Sequence, residues 1–312
     1  MNAAARFSTA DIKLPATLKG AVLFNEPLAK HTSWRVGGPA DVFFTPADKD
    51  DLALFLRSLP AAMPIFWLGL GSNLLVRDGG IRAAVIETHG ALNELGRLTD
   101  SDIWCDAGVT CAKLAKQCAK WNLGPAEFFA GIPGTLGGAL AMNAGAFGGE
   151  TWRHVVEVET VDRQGVIRRR LPADYVVSYR HVSGPINEWF LGARLTFETS
   201  EADGQAEIRA LLARRKETQP IGEPSCGSVF TNPAGQHAAR LIEEAGLKGF
   251  QIGDACVSVK HANFIINQGA ATAAELEQLI QWVRTTVQQK FGVELVPEVR
   301  IVGETLTTRE PA

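Results

Sequence analysis

Paired cysteines are missing from this sequence. Its five cysteines, Cys105, Cys111, Cys118, Cys226 and Cys256, make an odd count with no C-x-x-C spacing, which excludes a disulfide framework and a structural zinc site. Cys111 and Cys118 stand seven apart on a helical pattern and read as core packing. Long apolar runs are missing too. The most apolar window, IFWLGLGSNLLV at residues 65–76, stops at Arg77 and Asp78 and is too short to span a bilayer. The first 25 residues carry Arg6, Asp11, Lys13 and Lys19 around no sustained apolar core, so no secretory signal is read there. A charge excess is also absent: 31 Lys and Arg against 34 Asp and Glu leave a net charge of -3, which argues against a nucleic-acid partner. The basic run Arg168, Arg169, Arg170 reads as the solvated edge of a strand. The expectation is a cytoplasmic protein with no membrane and no nucleic acid among its partners.

Familiar catalytic signatures are missing as well. There is no G-x-x-x-x-G-K-[ST], and GLGSNLLV lacks the third glycine of G-x-G-x-x-G, which lowers P-loop and Rossmann readings. No G-x-S-x-G surrounds Ser228, and the six histidines show no H-E-x-x-H or other metal spacing. In CGSVFTNP, Ser228 stays open between a turn residue, a nucleophile and a proton donor.

What is present is an ordinary globular composition, 46% hydrophobic and 21% charged over 312 residues, enough for about two domains at roughly 150 residues each. TPAD at residues 45–48 predicts a capping box with proline in the first turn of a helix reaching residue 59, flanked by the apolar strands ADVFF and PIFWLGLG. Strands AAVIET and DIWCDAG precede a helix near 110–121. VVEVETVD, VIRRRL and EWFLGARLTFE alternate as strands. A helix at 205–217 is expected to turn Ile208, Leu211 and Leu212 inward and Arg209, Arg214, Arg215 and Lys216 outward. Near the end, Thr272-x-x-Glu275 opens a long helix and PEVRIVG closes the fold as a strand.

Two glycine-rich stretches stand out, 69–76 and 131–149. Glycine lets backbone N–H groups approach an anion with no Cβ in the way, and Ser72, Asn73, Thr135 and Asn143 add side-chain donors. A flexible linker would be polar, whereas Ile132, Leu136, Leu140, Met142 and Phe147 interrupt the second stretch. A long loop of this kind suits a large phosphate-bearing cofactor.

HTSWRVGGPAD (31–41), GLGSNLLV, GIPGTLGGALAMNAGAFGGE (131–150), SYR (178–180), CGSVFTNPAG and VPEVRIVG, in this order, resemble the UDP-N-acetylenolpyruvoylglucosamine reductase family, the MurB-type flavoenzymes of bacterial cell-wall synthesis, over residues 20–303. The short run from SYR to GPINEWFLGARL resembles the family's shorter, type II branch. The resemblance implies an α+β fold: a two-subdomain FAD-binding unit of the vanillyl-alcohol-oxidase type, with subdomains at 16–85 and 86–204, then an α+β substrate domain at 205–305. It implies noncovalent FAD, NADPH as co-substrate, and reduction of the enolpyruvyl ether of UDP-N-acetylglucosamine to UDP-N-acetylmuramate by a monomer. Another FAD oxidase or dehydrogenase of this fold, or a flavin or nucleotide-sugar binder without turnover, is the alternative.

Carried over by motif, Ser228 matches the family's proton donor, and Arg180 and Glu298 its other two catalytic residues. Cofactor contacts fall on Arg35, on Gly69, Gly71, Ser72, Asn73 and Leu74, on Gly131, Ile132, Pro133, Gly134, Thr135, Gly137 and Gly138, and on Asn143, Gly145 and Ala146. Substrate contacts fall on Lys216, Asn232, His261 and Arg300. Two departures stand out: His181 and Val182 follow Arg180 where the family reads Asp-Ser, and Thr231 replaces a frequent lysine. On spacing alone Glu298 and Arg300 are a same-face strand pair and Arg180 a strand-end charge. Glu298 beside a developing dianion implies a protonated carboxyl, its pKa raised by burial.

Overall fold

The computed structural model describes residue 7 and residues 12–306. The expectation about a secretory signal rests in part on Arg6 and Asp11, which lie outside the described residues.

The first lobe is a four-stranded sheet in the order Ala21–Pro27, Pro39–Thr45, Ile81–Glu87, Ile65–Leu68. The first pair is antiparallel and the other two parallel. Helix Lys49–Ser58 covers it with Leu52, Phe55 and Leu56, and Phe55 stacks on Phe44 of the sheet at 3.9 Å. This helix begins three residues later than TPAD predicts, at Lys49 where Pro46 is expected. Thr45 is still paired with Ala21 in the sheet, so Asp48 takes the cap and accepts from Asp51 N at 2.8 Å.

The second lobe is a five-stranded antiparallel sheet in the order Ile167–Arg170, Val155–Asp162, Glu188–Thr196, Asp102–Asp106, Leu95–Arg97. Helix Cys111–Lys120, capped by Thr110, buries Cys111, Leu114, Ala115 and Cys118 against it. The lobes share apolar material, because Val161 and Leu191 of the second sheet join the first lobe's core. Ion pairs from Arg168, Arg169 and Arg170 to Asp162, Glu157 and Glu188 line the outer strand, as a solvated edge should.

The glycine-rich stretch at 131–149 is not a continuous loop. Thr135 caps a helix, Leu136–Met142, which ends on Asn143 in the left-handed region at φ 47°. Leu136, Ala139 and Leu140 anchor it in the second core, so its glycines form a turn of helix pressed on Ala107 and not a tether.

The last unit packs helices Ala238–Glu244 and Ala273–Phe291 on a small antiparallel sheet, Gln251–Ile252, Ala255–Val257 and Ile265–Asn267. The Thr272 and Glu275 capping box forms as expected. Three features tie this unit to the first lobe. Trp34, fully buried, sits in its core, donating from Nε1 to Ile265 O at 2.8 Å and accepting at its carbonyl from Asn267 Nδ2 at 2.9 Å. Strand Arg300–Val302 then leaves the unit and pairs in parallel with Leu74–Val76. Asp78, just beyond that pairing, accepts from Ala273 N and Ala274 N at 3.0 Å each, capping the long helix from another lobe.

Helix Gly204–Thr218 differs from its amphipathic reading. Its inward stripe runs through Gly204, Ile208, Leu211 and Arg215, while Leu212 is 37% exposed. Ile208 fills the second core, and two turns further along the same face Arg215 is turned inward.

Candidate active site

A cavity of about 760 Å³ opens where the three units meet. Its size lies within the range of roughly 300–1,000 Å³ usual for small-molecule and cofactor sites. The segments 69–74, 131–135 and 137–138, with Gly145 and Ala146, all contribute to its wall, as do Arg180, Ser228, Asn232, Glu298 and Arg300.

Arg180 sits at the tip of the hairpin Val176–Ser178 and His181–Ser183, with φ 56°. Left-handed backbone at a non-glycine residue is uncommon and collects at functional sites. Its guanidinium donates to Gly145 O at 2.9 Å and to Asn143 O at 3.5 Å. Its Nε lies 3.1 Å from Glu298 Oε1. Glu298 therefore pairs with Arg180 across two units, and not with Arg300 two residues on. Burial is the largest influence on the Glu298 carboxyl and pushes its pKa up, with Arg180 pulling the other way. That direction agrees with a protonated acid.

The Glu298 backbone is held on both sides. Its N–H donates to Val229 O at 2.8 Å, and its carbonyl accepts from Asn73 Nδ2 at 3.1 Å. Arg300 N donates to Asn73 O at 3.0 Å, so GLGSN is stitched to PEVR before any ligand arrives. Ser228 is one residue before Val229 in the same web.

Several expected contacts stand elsewhere. Arg35 is exposed and outside the cavity wall. Asn143, 3% exposed, spends its side chain on Ser178 O, Glu150 Oε2 and Trp152 N, supporting the Arg180 hairpin. Lys216 is exposed and its carbonyl receives Lys260 Nζ. His261 packs on Phe264 behind the wall, and burial lowers its pKa. Asn232 Oδ1 accepts from Ala238 N at 3.1 Å. Thr231, in place of lysine, bonds Val296 O through its N–H and its hydroxyl. His181 is exposed, and Val182 packs on the second core and lines the cavity.

Sequence reading turned Arg215 outward and missed Gln219, Tyr179, Asn263, Trp67 and Trp189, all of which line the cavity as Arg215 does. Arg215 Nε donates to Gln219 Oε1 at 2.9 Å, and burial lowers its pKa. The helical stripe from Ile208 to Arg215 was the available signal. Tyr179 lies 5.2 Å under the Arg180 guanidinium. Trp67 and Trp189, from different lobes, stack at 5.5 Å.

A family model described as the C-terminal domain of UDP-N-acetylenolpyruvoylglucosamine reductase matches residues 219–302, and one described as an FAD binding domain matches residues 40–170. A UDP-N-acetylenolpyruvoylglucosamine reductase of Alkalilimnicola ehrlichii is 61% identical over 280 residues, 89% of this chain and 94% of that protein. The chain belongs to the UDP-N-acetylenolpyruvoylglucosamine reductase family. The reductase of Nitrosococcus oceani is 57% identical over 93% of this chain and 97% of its own. Among solved structures, the reductase (MurB) of Thermus caldophilus superposes with a TM-score of 0.75 at 30% identity, covering 91% of this chain and 98% of that one. The fold is thus the expected α+β one, built on an FAD-binding unit.

The cavity fits FAD on its own chemistry. A methyl group added at Gly134 or Gly138 would meet no protein atom nearer than 3.5 Å or 3.8 Å, so it would occupy cavity space that a close-lying ligand needs. Ser72 and Thr135 supply hydroxyls beside that cradle.

Proposed function

We infer that this enzyme reduces the enolpyruvyl ether of UDP-N-acetylglucosamine to UDP-N-acetylmuramate with electrons from NADPH carried through noncovalent FAD. Family membership supports the reaction, and the convergence of Arg180, Glu298 and Ser228 on one cavity with the glycine cradle supports these residue roles.

The cofactor's chemistry is two-electron transfer from NADPH to the alkene, which no side chain here can supply. The chain's residues handle charge and the proton. Adding a hydride to the terminal alkene carbon places negative charge on the neighbouring carbon and its carboxylate. Arg180, fixed by the Gly145 and Asn143 carbonyls, is the preorganised cation for that charge, with Arg300 beside it. Ser228 Oγ gives the proton that completes reduction of the double bond and is reprotonated from solvent. A hydroxyl suffices as acid because transfer to a carbanion-like centre runs downhill. Burial pushes the Glu298 pKa up against the pull of Arg180, and its proposed role is to donate a hydrogen bond as the acid, without adding a repelling charge.

Gly69, Gly71, Ser72, Leu74, 131–135, Gly137, Gly138, Gly145 and Ala146 are proposed to hold FAD. Arg300, Asn232 and Arg215 are proposed to hold the substrate, Arg215 replacing the cation absent at Thr231 and turned toward the cavity where Lys216 is not. The proposed units are 16–85 and 86–204 for FAD and 205–305 for substrate. A monomer is proposed, as the resemblance to the family implies. Among the described residues no helix is long and apolar enough to cross a membrane. A cytoplasmic setting is proposed from the nucleotide co-substrate. The test is spectroscopic: the purified protein is yellow, NADPH bleaches it, and UDP-N-acetylglucosamine enolpyruvate restores the colour. A colourless protein that binds no FAD would overturn the reading.

A further inference from the structure

We propose that Asn263 is the positioning residue for Ser228, holding the segment that carries it at the distance its proton transfer needs. The proposal rests on the role of Ser228 given above and adds a residue to it.

Among the described residues the Ser228 hydroxyl makes no hydrogen bond, so its place is set through the backbone. Upstream the chain turns at Gly222 and Gly227, with φ 96° and 80°, and is held further off, at Pro224 O by Asn267 N at 3.0 Å and at the buried Cys226. Downstream it is clamped. Asn263, 4% exposed, faces the next two residues with every polar group it has to offer on that side. Its carbonyl accepts from Val229 N at 2.8 Å, its Oδ1 accepts from Phe230 N at 3.0 Å, and its Nδ2 donates to Phe230 O at 2.8 Å. Phe230 itself is 2% exposed, so these groups have no water to replace a lost partner. The remaining polar group of Val229, its carbonyl, accepts from Glu298 N. The Asn263 backbone carbonyl and the Glu298 N–H thus grip Val229 from opposite sides, and the Asn263 side chain fixes Phe230, two residues past the acid.

An asparagine is required by this arrangement. Only a side-chain amide presents one acceptor and one donor at the spacing of a peptide's N–H and C=O, in the way a neighbouring strand would. Asn263 extends strand Ile265–Asn267 by a side chain where its backbone turns away. Misplacement by about 1 Å costs on the order of 10²-fold in rate when the displaced group reacts, and nothing when it does not.

The experiment is a double-mutant cycle on the flavin-loaded enzyme, with the two half-reactions followed separately by flavin absorbance. Asn263→Ala is expected to slow reoxidation by substrate by about 10- to 100-fold while NADPH bleaching stays close to wild type. In the Ser228→Ala background the same substitution is expected to slow reoxidation no further, because the group it positions is gone. Equal slowing in both backgrounds, equal slowing of both half-reactions, or no slowing overturns the proposal. Wild-type reoxidation in Ser228→Ala alone overturns the Ser228 assignment itself. If Asn263→Ala does not retain flavin, Asn263→Asp takes its place in the cycle. It keeps the acceptor for Phe230 N and loses the donor to Phe230 O, and its expected effect is smaller and equally confined to reoxidation.

Discussion

Arg180 Nε stands 3.1 Å from Glu298 Oε1, although one residue tips a hairpin of the second lobe and the other lies just before the strand that leaves the C-terminal unit. The pair joins units whose own cores never need it. Its electrostatics are opposed: the guanidinium favours the carboxylate, and burial, the larger influence, favours the acid.

That opposition sets a pH signature. A carboxyl raised above its ordinary 4.5 on folding keeps its proton longer in the folded chain. The unfolded chain therefore ionises first as pH rises past 4.5, and stability falls from there up to the folded value. Glu298→Gln removes this loss. Thermal melts of the two proteins should coincide in acid below 4.5, with the variant melting higher in mildly alkaline buffer. Substrate turnover should fall by about 10²-fold in Glu298→Ala and by less in Glu298→Gln, whose amide keeps a donor. Infrared difference spectra that show an ionised Glu298 in the ligand complex at neutral pH would rule out the protonated acid.

Arg215→Ala should raise KM for the UDP substrate by about 10- to 100-fold, the worth of one charge-assisted hydrogen bond of roughly 1.5–3 kcal/mol. Folding stability should not suffer, since burial works against this guanidinium in the free enzyme. Lys216→Ala, on the exposed face, should leave KM near wild type. Steady-state kinetics on the two variants decide between neighbours that sequence alone ranks the other way.

How much of this was legible in the chain follows from the range of each interaction. Thr272 with Glu275 is local, three residues apart, and the sequence announces it. Arg180, Ser228 and Glu298 came from motifs, and nothing local marks them as meeting. Arg215 was misjudged because a cation on a helix is assumed to face water, an assumption that fails when the inner face ends at a cavity. The helix at Leu136 was hidden by its glycines, whose poor intrinsic propensity is outweighed by Leu136 and Leu140 in the core. Trp34 and Asp78 act on residues about 200 positions away, beyond any periodicity.

Gly71→Ala tests the cradle against a built-in control. At Gly71, φ 58°, a Cβ would lie 2.1 Å from His31 O, whereas at Gly90, φ 82°, it would meet nothing within 4 Å. Both substitutions cost about 1 kcal/mol or somewhat more in backbone strain. Only Gly71→Ala should also displace the 69–74 segment, so it should purify with less FAD per chain than Gly90→Ala, measured by flavin absorbance after denaturation.

Asp78→Ala should cost about 1 kcal/mol, within the usual range for a lost N-cap, and lower Tm by roughly 2–4 °C. The Thr272 and Glu275 box remains to cap the helix in part. Scanning calorimetry should show whether the first lobe and the C-terminal unit then melt as one transition or two.

Pairing Leu74–Val76 with Arg300–Val302 also imposes an order on synthesis. The neighbouring contact of Arg77 with Gly303 spans 226 positions, so at roughly 5–20 residues per second the first strand waits some 10–45 s for its partner to be made. During that interval the segment that will carry the glycine cradle presents an unpaired apolar edge, the kind of surface on which nascent chains associate. A chain released before Arg300 keeps that edge for good, which makes the last strand a seal on the nascent protein as well as a wall of its cavity.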